Sequence, residues 1–256
     1  MIIEKMTIKE IEGLFAAQEP TEELLSACRS DSRIAVHRLL ARWERVQREK
    51  ERIRALYQFE YEAAANGLEI VAGVDEAGRG PLAGPVVTAA VILPLGAFIP
   101  RLNDSKKLSA KVREELYLAI KETAVDIQYA VIDEKTIDRI NIYQATMNGM
   151  YDAIFALRPT PEQVLIDAVR LDRLPMASLS IIKGDAKSAS IAAASIIAKV
   201  ERDHLMDQYD AQYPEYGFAQ HKGYGTEQHI QAIKKYGPCP IHRRTFEPIQ
   251  SLFTAR

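Results

Sequence analysis

The stretch Gly73-Val-Asp-Glu-Ala-Gly-Arg-Gly-Pro-Leu-Ala-Gly84 decides how this chain is read. It follows an apolar run, Glu69 to Val74, with the β-branched character of a strand, and sets two adjacent carboxylates, Asp75 and Glu76, ahead of Gly78, Gly80 and Gly84. Three motifs overlap in it. As a phosphate-binding P-loop, Gly73 and Gly78 are correctly spaced, but Arg79 stands where the lysine belongs and Gly80 where a magnesium-binding hydroxyl belongs. As a dinucleotide fingerprint, Gly78-x-Gly80-x-x-Ala83 fits formally and Asp104 sits where a ribose-binding acid would. Against that, Asp75 and Glu76 would repel a pyrophosphate, Pro81 has no amide to donate, and Val86 to Leu93 reads as a second strand where a helix is required. In the third reading the acids are metal ligands and the glycines let backbone amides approach a phosphate or sugar. Alternation along a strand aims Asp75 into such a site and requires Glu76 to reach it by a local bend or its extra methylene. Taken alone, the pair is better explained as solvated charge at a strand end.

Two more acids bear on that choice. Val164-Leu-Ile-Asp167 is a buried run closing on one carboxylate, and Ile181-Ile-Lys-Gly-Asp185 is another, directly before an alanine-rich helix. Asp185 has an alternative as the helix N-cap; Asp167, beside Ile166, needs a partner or a metal. In open α/β sheets, sites collect at the carboxyl ends of strands. Carboxylates brought together there raise one another's pKa and oppose folding unless a cation neutralises them. An all-oxygen set favours Mg2+ or Mn2+, and such sites suit phosphodiester hydrolysis.

The remaining chain frames this cluster. At 256 residues and 47% hydrophobic it can bury a large core. Lys plus Arg total 33 against 35 acidic residues, a net charge of -2, so attraction to nucleic acid must come from local basic patches. No apolar run is long enough to cross a bilayer, and the N-terminus lacks the order of a signal peptide, which points to a cytoplasmic protein with no membrane partner. Cys28 and Cys239 are far apart and form neither a disulfide framework nor a zinc motif. Thr7-Ile-Lys-Glu10 predicts a capped helix broken at Pro20, and the Val36, Leu39, Trp43, Val46, Ile53, Tyr57 stripe predicts one long helix over residues 32–65, ended by Asn66-Gly67. Strands are predicted at 69–74, 86–93, 127–132, 164–166 and 179–182, with helices at 109–123, 137–157, 186–209 and 226–236. The expected fold is a mixed α/β sheet covered by helices. The expected organisation is a helical extension at 1–66, a catalytic core at 67–209 and a mainly helical C-terminal region at 210–256 that completes the substrate site.

The segment Gly73 to Gly84 with Gly-Arg-Gly at 78–80, Asp104-Ser-Lys-Lys-Leu108, Leu165-Ile-Asp-Ala168, Lys183-Gly-Asp185 and His221-Lys-Gly-Tyr-Gly225 together resemble bacterial type 2 ribonucleases H. The match runs in consistent order from about Glu69 to Pro248. The resemblance implies a ribonuclease H-like fold in which Asp75, Glu76, Asp167 and Asp185 form a catalytic, metal-binding quartet for Mn2+ or Mg2+. It implies endonucleolytic cleavage of RNA in RNA/DNA hybrids and incision 5′ of ribonucleotides embedded in duplex DNA. It further implies that Gly78, Arg79 and Gly80 read the 2′-hydroxyl, that Tyr224 stacks on the following deoxyribose, and that Ser105 and Lys106 contact phosphate. The 2′-hydroxyl is indeed the group separating RNA from DNA, and glycines permit close backbone approach to it. Lys183, Lys187 and Lys222 fall near the same motifs. A type 3 ribonuclease H shares the acidic pair, but resembles the chain less because it lacks the Gly-Arg-Gly signature. A non-catalytic nucleic-acid-binding protein would have no use for an intact quartet, and saturable NAD binding would revive the dinucleotide reading. Ile249-Gln-Ser-Leu-Phe253 resembles sliding-clamp peptides without their full spacing, which implies at most a weak clamp contact by a protein expected to be a monomer.

Overall fold

The computed structural model describes residues 3–17 and 19–254. The chain divides into two compact units, Met1–Arg54 and Ala55–Arg256. In the first, helix α1 (Ile8–Ala17) begins with the reciprocal cap read from the sequence: Glu10 N donates to Thr7 Oγ1 at 3.3 Å and Thr7 N to Glu10 Oε2 at 2.7 Å. Helix α2 (Glu22–Ser30), which the apolar pattern does not disclose, is capped by Thr21. Ile11, Leu24, Leu25, Cys28, Val36 and Leu40 make this unit's core, and Cys28 is a buried free thiol. Arg33 grips both oxygens of Asp31 and also donates to Ile3 O and Met6 O.

The single helix predicted over 32–65 is two helices, α3 (Ile34–Leu56) and α4 (Gln58–Ala65). Tyr57 interrupts it with ψ near 14°, and its ring is fully buried, so packing overrides the continuous periodicity. Helix α4 falls in the second unit. Its end is the one expected: Gly67, at φ +78°, donates to Ala64 O, and Leu68 N to Ala63 O.

The second unit is built on a five-stranded sheet in the order β3-β2-β1-β4-β5, from β1 (Val71–Ala77), β2 (Val86–Ile92), β3 (Asp126–Ile132), β4 (Gln163–Asp167) and β5 (Ala177–Ile181). The first three pair antiparallel as a meander, while β1, β4 and β5 are parallel. Helices α5 (Ala110–Thr123), α6 (Glu134–Ile140), α7 (Ile142–Ala156) and α8 (Ala189–Gln212) interleave with the strands. The helix predicted at 137–157 is split at Asn141, which takes φ +68° and turns its side chain to cap α7 through Gln144 N.

Strand alternation sorts the layers. Ala72, Val74, Ala90, Val164 and Ile166 face Met150 and Ile154 of α7 and Leu157 just past its end. On the other face Val71, Leu165 and Ile181 meet Ile191 of α8. The approach of α8 is so close that a Cβ on Gly73 would stand 2.0 Å from the carbonyl carbon of Ser190; only glycine fits. Three short helices, α9 (Phe218–His221), α10 (Glu227–Tyr236) and α11 (Ile249–Thr254), complete the unit and enclose Leu82, Ala83, Tyr216, Phe218, Ile233, Ile241 and Ile249.

Candidate active site

The parallel register of β1 with β4 runs out at Val74 opposite Ile166, so Asp75 and Asp167 follow side by side. Both project from the α8 face, since each lies two residues beyond a residue of that face. Asp185 arrives from a 3-10 turn, Gly184–Ala186, four residues past β5. Ligand oxygens of Asp75, Asp167 and Asp185 all lie within 4.8 Å of one another. Asp185 is not the cap of α8. That role belongs to Ser188, whose Oγ accepts from Ile191 N at 3.2 Å, so the plain alternative for this acid is removed. Glu76 stands outside the group of three, as strand alternation requires, yet its charge raises Asp75 and is itself opposed by Asp167.

The cluster is electrostatically incomplete. Asp75 is 2% exposed, and burial together with Glu76 and Asp167 pushes its carboxyl well above the usual range, with Ser195 partly offsetting them. Burial raises Glu76 against the pull of Arg79, and raises Asp167 against a 2.6 Å hydrogen bond donated by Gly184 N. Among the described residues, Asp75 Oδ2 and Glu76 Oε2 are buried with no hydrogen-bond partner. Bare carboxylate oxygens beside two further acids are the donor set a hard divalent cation takes. Two side chains of the substrate motifs meet the acids: Lys106 Nζ lies 3.2 Å from Asp185 Oδ2, and Arg79 Nη1 lies 3.4 Å from Glu76 Oε1. Burial works against the Lys106 charge, but Asp185, Asp75 and Asp104 raise its pKa overall.

Ser105 and Lys106 sit in a short turn, Ser105–Lys107, capped by Asp104. Ser105 is buried, and its hydroxyl is shared with Ser195 at 2.8 Å, so this turn offers Lys106 and Lys107 outward, of which Lys106 reaches the acids. Lys183 and Lys187 are exposed on either side of Asp185, while Lys222 is paired with Asp207.

The Gly-Arg-Gly loop and the turn that follows it are fastened from beneath by two arginines that sequence reading missed. Arg243, fully buried, donates to Gly78 O at 2.6 Å, Arg79 O at 2.9 Å and Gly84 O at 3.0 Å. Arg202 of α8, 1% exposed, donates to Pro85 O, Ala83 O and Lys222 O. Burial lowers Arg202 to about 10 and Arg243 to about 9, so both remain charged at neutral pH. The carbonyls of 78 and 79 are therefore turned inward. Gly78 takes φ +96°, and a Cβ there would lie 2.1 Å from Arg202 Nε. A Cβ on Gly80 would lie 3.9 Å from Tyr224 Cε1, so the loop and the half-exposed tyrosine share one opening.

Tyr224 rests in turn on three buried histidines. His229 Nδ1 faces Tyr224 O at 2.9 Å and must donate; in the neutral ring its Nε2 then accepts from His242 Nε2 at 3.0 Å, and His242 Nδ1 accepts from Cys239 N at 2.9 Å. His221 donates from Nε2 to Tyr216 O and accepts from Gly223 N. One tautomer per ring satisfies every nitrogen. Burial lowers His229 and His242 to about 4. His242 shows different nitrogens to Cys239 and His229, so these groups do not converge on a metal. Neither these histidines nor Arg202 and Arg243 carry a signal that separates them, in sequence, from surface charge.

Comparison with known proteins agrees with this geometry. The Ribonuclease HII family model matches residues 72–249, and the Ribonuclease HII N-terminal domain model matches residues 7–64. A ribonuclease HII of Enterococcus faecalis is 53% identical over 245 residues, covering 94% of this chain and 96% of that protein. Among solved structures, the ribonuclease H2 from Pyrococcus horikoshii superposes with a TM-score of 0.63 at 29% identity, over 73% of this chain and 98% of that one. The ribonuclease HII of Archaeoglobus fulgidus, solved in complex with PCNA, gives 0.58 at 26% identity, over 70% and 95%. With acids from β1, β4 and the turn after β5 gathered beside a Gly-Arg-Gly loop, and with relatives matched over nearly its full length, the chain belongs to the ribonuclease HII family and is an endoribonuclease H.

Proposed function

We propose that this ribonuclease H cuts the RNA strand of RNA/DNA hybrids and incises duplex DNA on the 5′ side of an embedded ribonucleotide. The products would carry 3′-hydroxyl and 5′-phosphate ends, which suits removal of misincorporated ribonucleotides during replication and repair. The carrying observation is the convergence of Asp75, Asp167 and Asp185, with bare buried oxygens on Asp75 and Glu76, next to the opening shared by Gly80 and Tyr224. Asp75, Glu76, Asp167 and Asp185 would hold a pair of Mg2+ or Mn2+ ions. Bound there, the ions would supply the Lewis acidity and charge that a phosphodiester displacement needs.

The chain's own groups divide the remaining work. Arg243 holds the Gly78 and Arg79 carbonyls, and Arg202 braces the following turn at Ala83 and Pro85, in the shape that meets a 2′-hydroxyl, and the absence of a Cβ at Gly80 lets the sugar come close. Tyr224 presents a flat face to the next deoxyribose, held by His229 through its carbonyl. Lys106, and more weakly the exposed Lys183 and Lys187, meet phosphate, with Ser105 fixing the turn through Ser195; affinity should fall with salt. Among the described residues no helix is long and apolar enough to cross a membrane. We read the protein as a monomer acting in the cytoplasm. A weak sliding-clamp contact by α11 remains a secondary reading. Ile249 is buried in the core and Leu252 is exposed, while the Phe253 side chain lies outside the described residues.

The deciding assay uses a DNA duplex with one ribonucleotide. Incision 5′ of that residue only when Mg2+ or Mn2+ is added is expected. Full activity in EDTA would sink the proposal.

A further inference from the structure

Helix α4 contributes nothing to the acidic cluster, yet it carries an acid with no surface role. Glu60 is 3% exposed. Its Oε1 accepts from Ser188 Oγ at 2.7 Å and from Ser190 N at 2.9 Å, the first contact spanning 128 residues of sequence. The carboxyl thereby satisfies an amide in the first turn of α8, where a negative group is favoured. Ser188 does more than cap the helix: its backbone N donates to Gly184 O at 2.8 Å, closing the turn that contains Asp185. Gly184 N in turn donates to Asp167 Oδ1 at 2.6 Å. A continuous chain of hydrogen bonds therefore runs from Glu60 through Ser188 and Gly184 to Asp167, with Asp185 inside the turn it fastens. Gly184 has no slack to compensate, because a Cβ there would lie 2.6 Å from Ile191 Cδ1.

We propose that Glu60 is a positioning residue that sets the spacing of Asp185 and Asp167, and thereby the affinity of the acidic cluster for divalent metal. This rests on the reading of those acids as a metal site. A helix ahead of the sheet, within the segment matched by the N-terminal domain model, is thus part of what builds the site.

The test is Mn2+ titration by calorimetry on the full chain, with folding checked by circular dichroism and kcat and KM measured alongside. Glu60→Ala should weaken Mn2+ binding about tenfold, the usual consequence of removing a group that orients ligands, and lower kcat while KM for a hybrid stays unchanged. Glu60→Gln keeps an accepting oxygen and should recover most of the affinity. Tyr57→Phe, which removes a buried hydroxyl outside the chain of bonds, should bind Mn2+ as the unaltered protein does; an equal loss there would overturn the proposal by showing that any disturbance nearby suffices. Should Glu60→Ala fail to fold, Ser188→Ala breaks the same chain and must show the same loss. Wild-type Mn2+ affinity in a folded Glu60→Ala chain, or in Ser188→Ala, overturns the proposal. Asp185→Asn separates the two ideas. If it weakens Mn2+ binding while Glu60→Ala does not, positioning alone falls; if it leaves binding unchanged, the metal site falls and the proposal with it.

Discussion

Asp31 in the first unit and Asp75 in the second are both almost inaccessible to water, at 6% and 2% exposure, and they titrate in opposite directions. Asp31 is held down to about 2, chiefly by hydrogen bonds from the Arg33 side chain and backbone. Asp75 is pushed well up, by burial first and then by Glu76 and Asp167, and keeps one bare oxygen. The first unit has the cation built into its own chain, whereas the second sets Asp75 among other acids. A buried acid with its partner supplied is architecture; one surrounded by other acids is a demand for an external ion.

Substitutions can break this contrast. Asp75→Asn carries the largest expected effect: a fall in incision rate on the order of 10²–10³-fold, as when a single charge-stabilising group is removed from an active site. The same change should raise the melting temperature of the metal-free protein, because it removes repulsion. For an acid whose folded pKa is raised, stability is present below the unfolded value near 3.8 and is lost as pH rises through the folded value. The metal-free wild type should therefore lose stability across that window more than the variant does. An unchanged rate, or a less stable metal-free variant, would contradict the contrast.

Gly78→Ala comes next. It forces a side chain into φ +96° and against Arg202, at a cost of about 1–3 kcal/mol. Incision at a single embedded ribonucleotide should suffer more than Mn2+ binding does, which parallel cleavage and calorimetry would reveal.

A smaller effect is expected at the histidines. His229 and His242, lowered to about 4, should give neutral-imidazole nitrogen signals from pH 7 down toward that value, with protons on Nδ1 and Nε2 respectively. For a base with a lowered folded pKa, the associated stability is full above the unfolded value near 6.5 and declines as pH falls toward 4. Protonation of either ring near pH 6.5 in nitrogen-detected NMR would refute the assignment.

Asp31→Asn should have the least influence on activity. It should lower the stability of the first unit and leave the incision rate within about twofold, as expected for a structural ion pair away from the chemistry.

The sequence discloses the strands and the three acids that meet because these depend on local pattern: apolar runs that each close on a carboxylate. Asp75, Asp167 and Asp185 were legible for that reason. Glu76 was legible as a neighbour of Asp75, though pleating sets it outside the tight group. What remained hidden depends on contacts distant in sequence. Arg202 resembles any charge on a helix, Arg243 any basic pair, and Glu60 any surface glutamate, until packing buries them. The interruptions at Tyr57 and Asn141 were hidden for the opposite reason: the apolar period continues through both, and one backbone angle breaks the helix without altering the pattern.

The interruption at Tyr57 has a practical side for anyone wishing to graft this nuclease onto another protein. Asn66-Gly67 looks like the natural seam, since it ends a helix just ahead of the first strand. A splice there would discard Glu60 and leave the start of α8 without its anchor. The safer junction lies between Arg54 and Tyr57, where the polypeptide itself changes from one unit to the next.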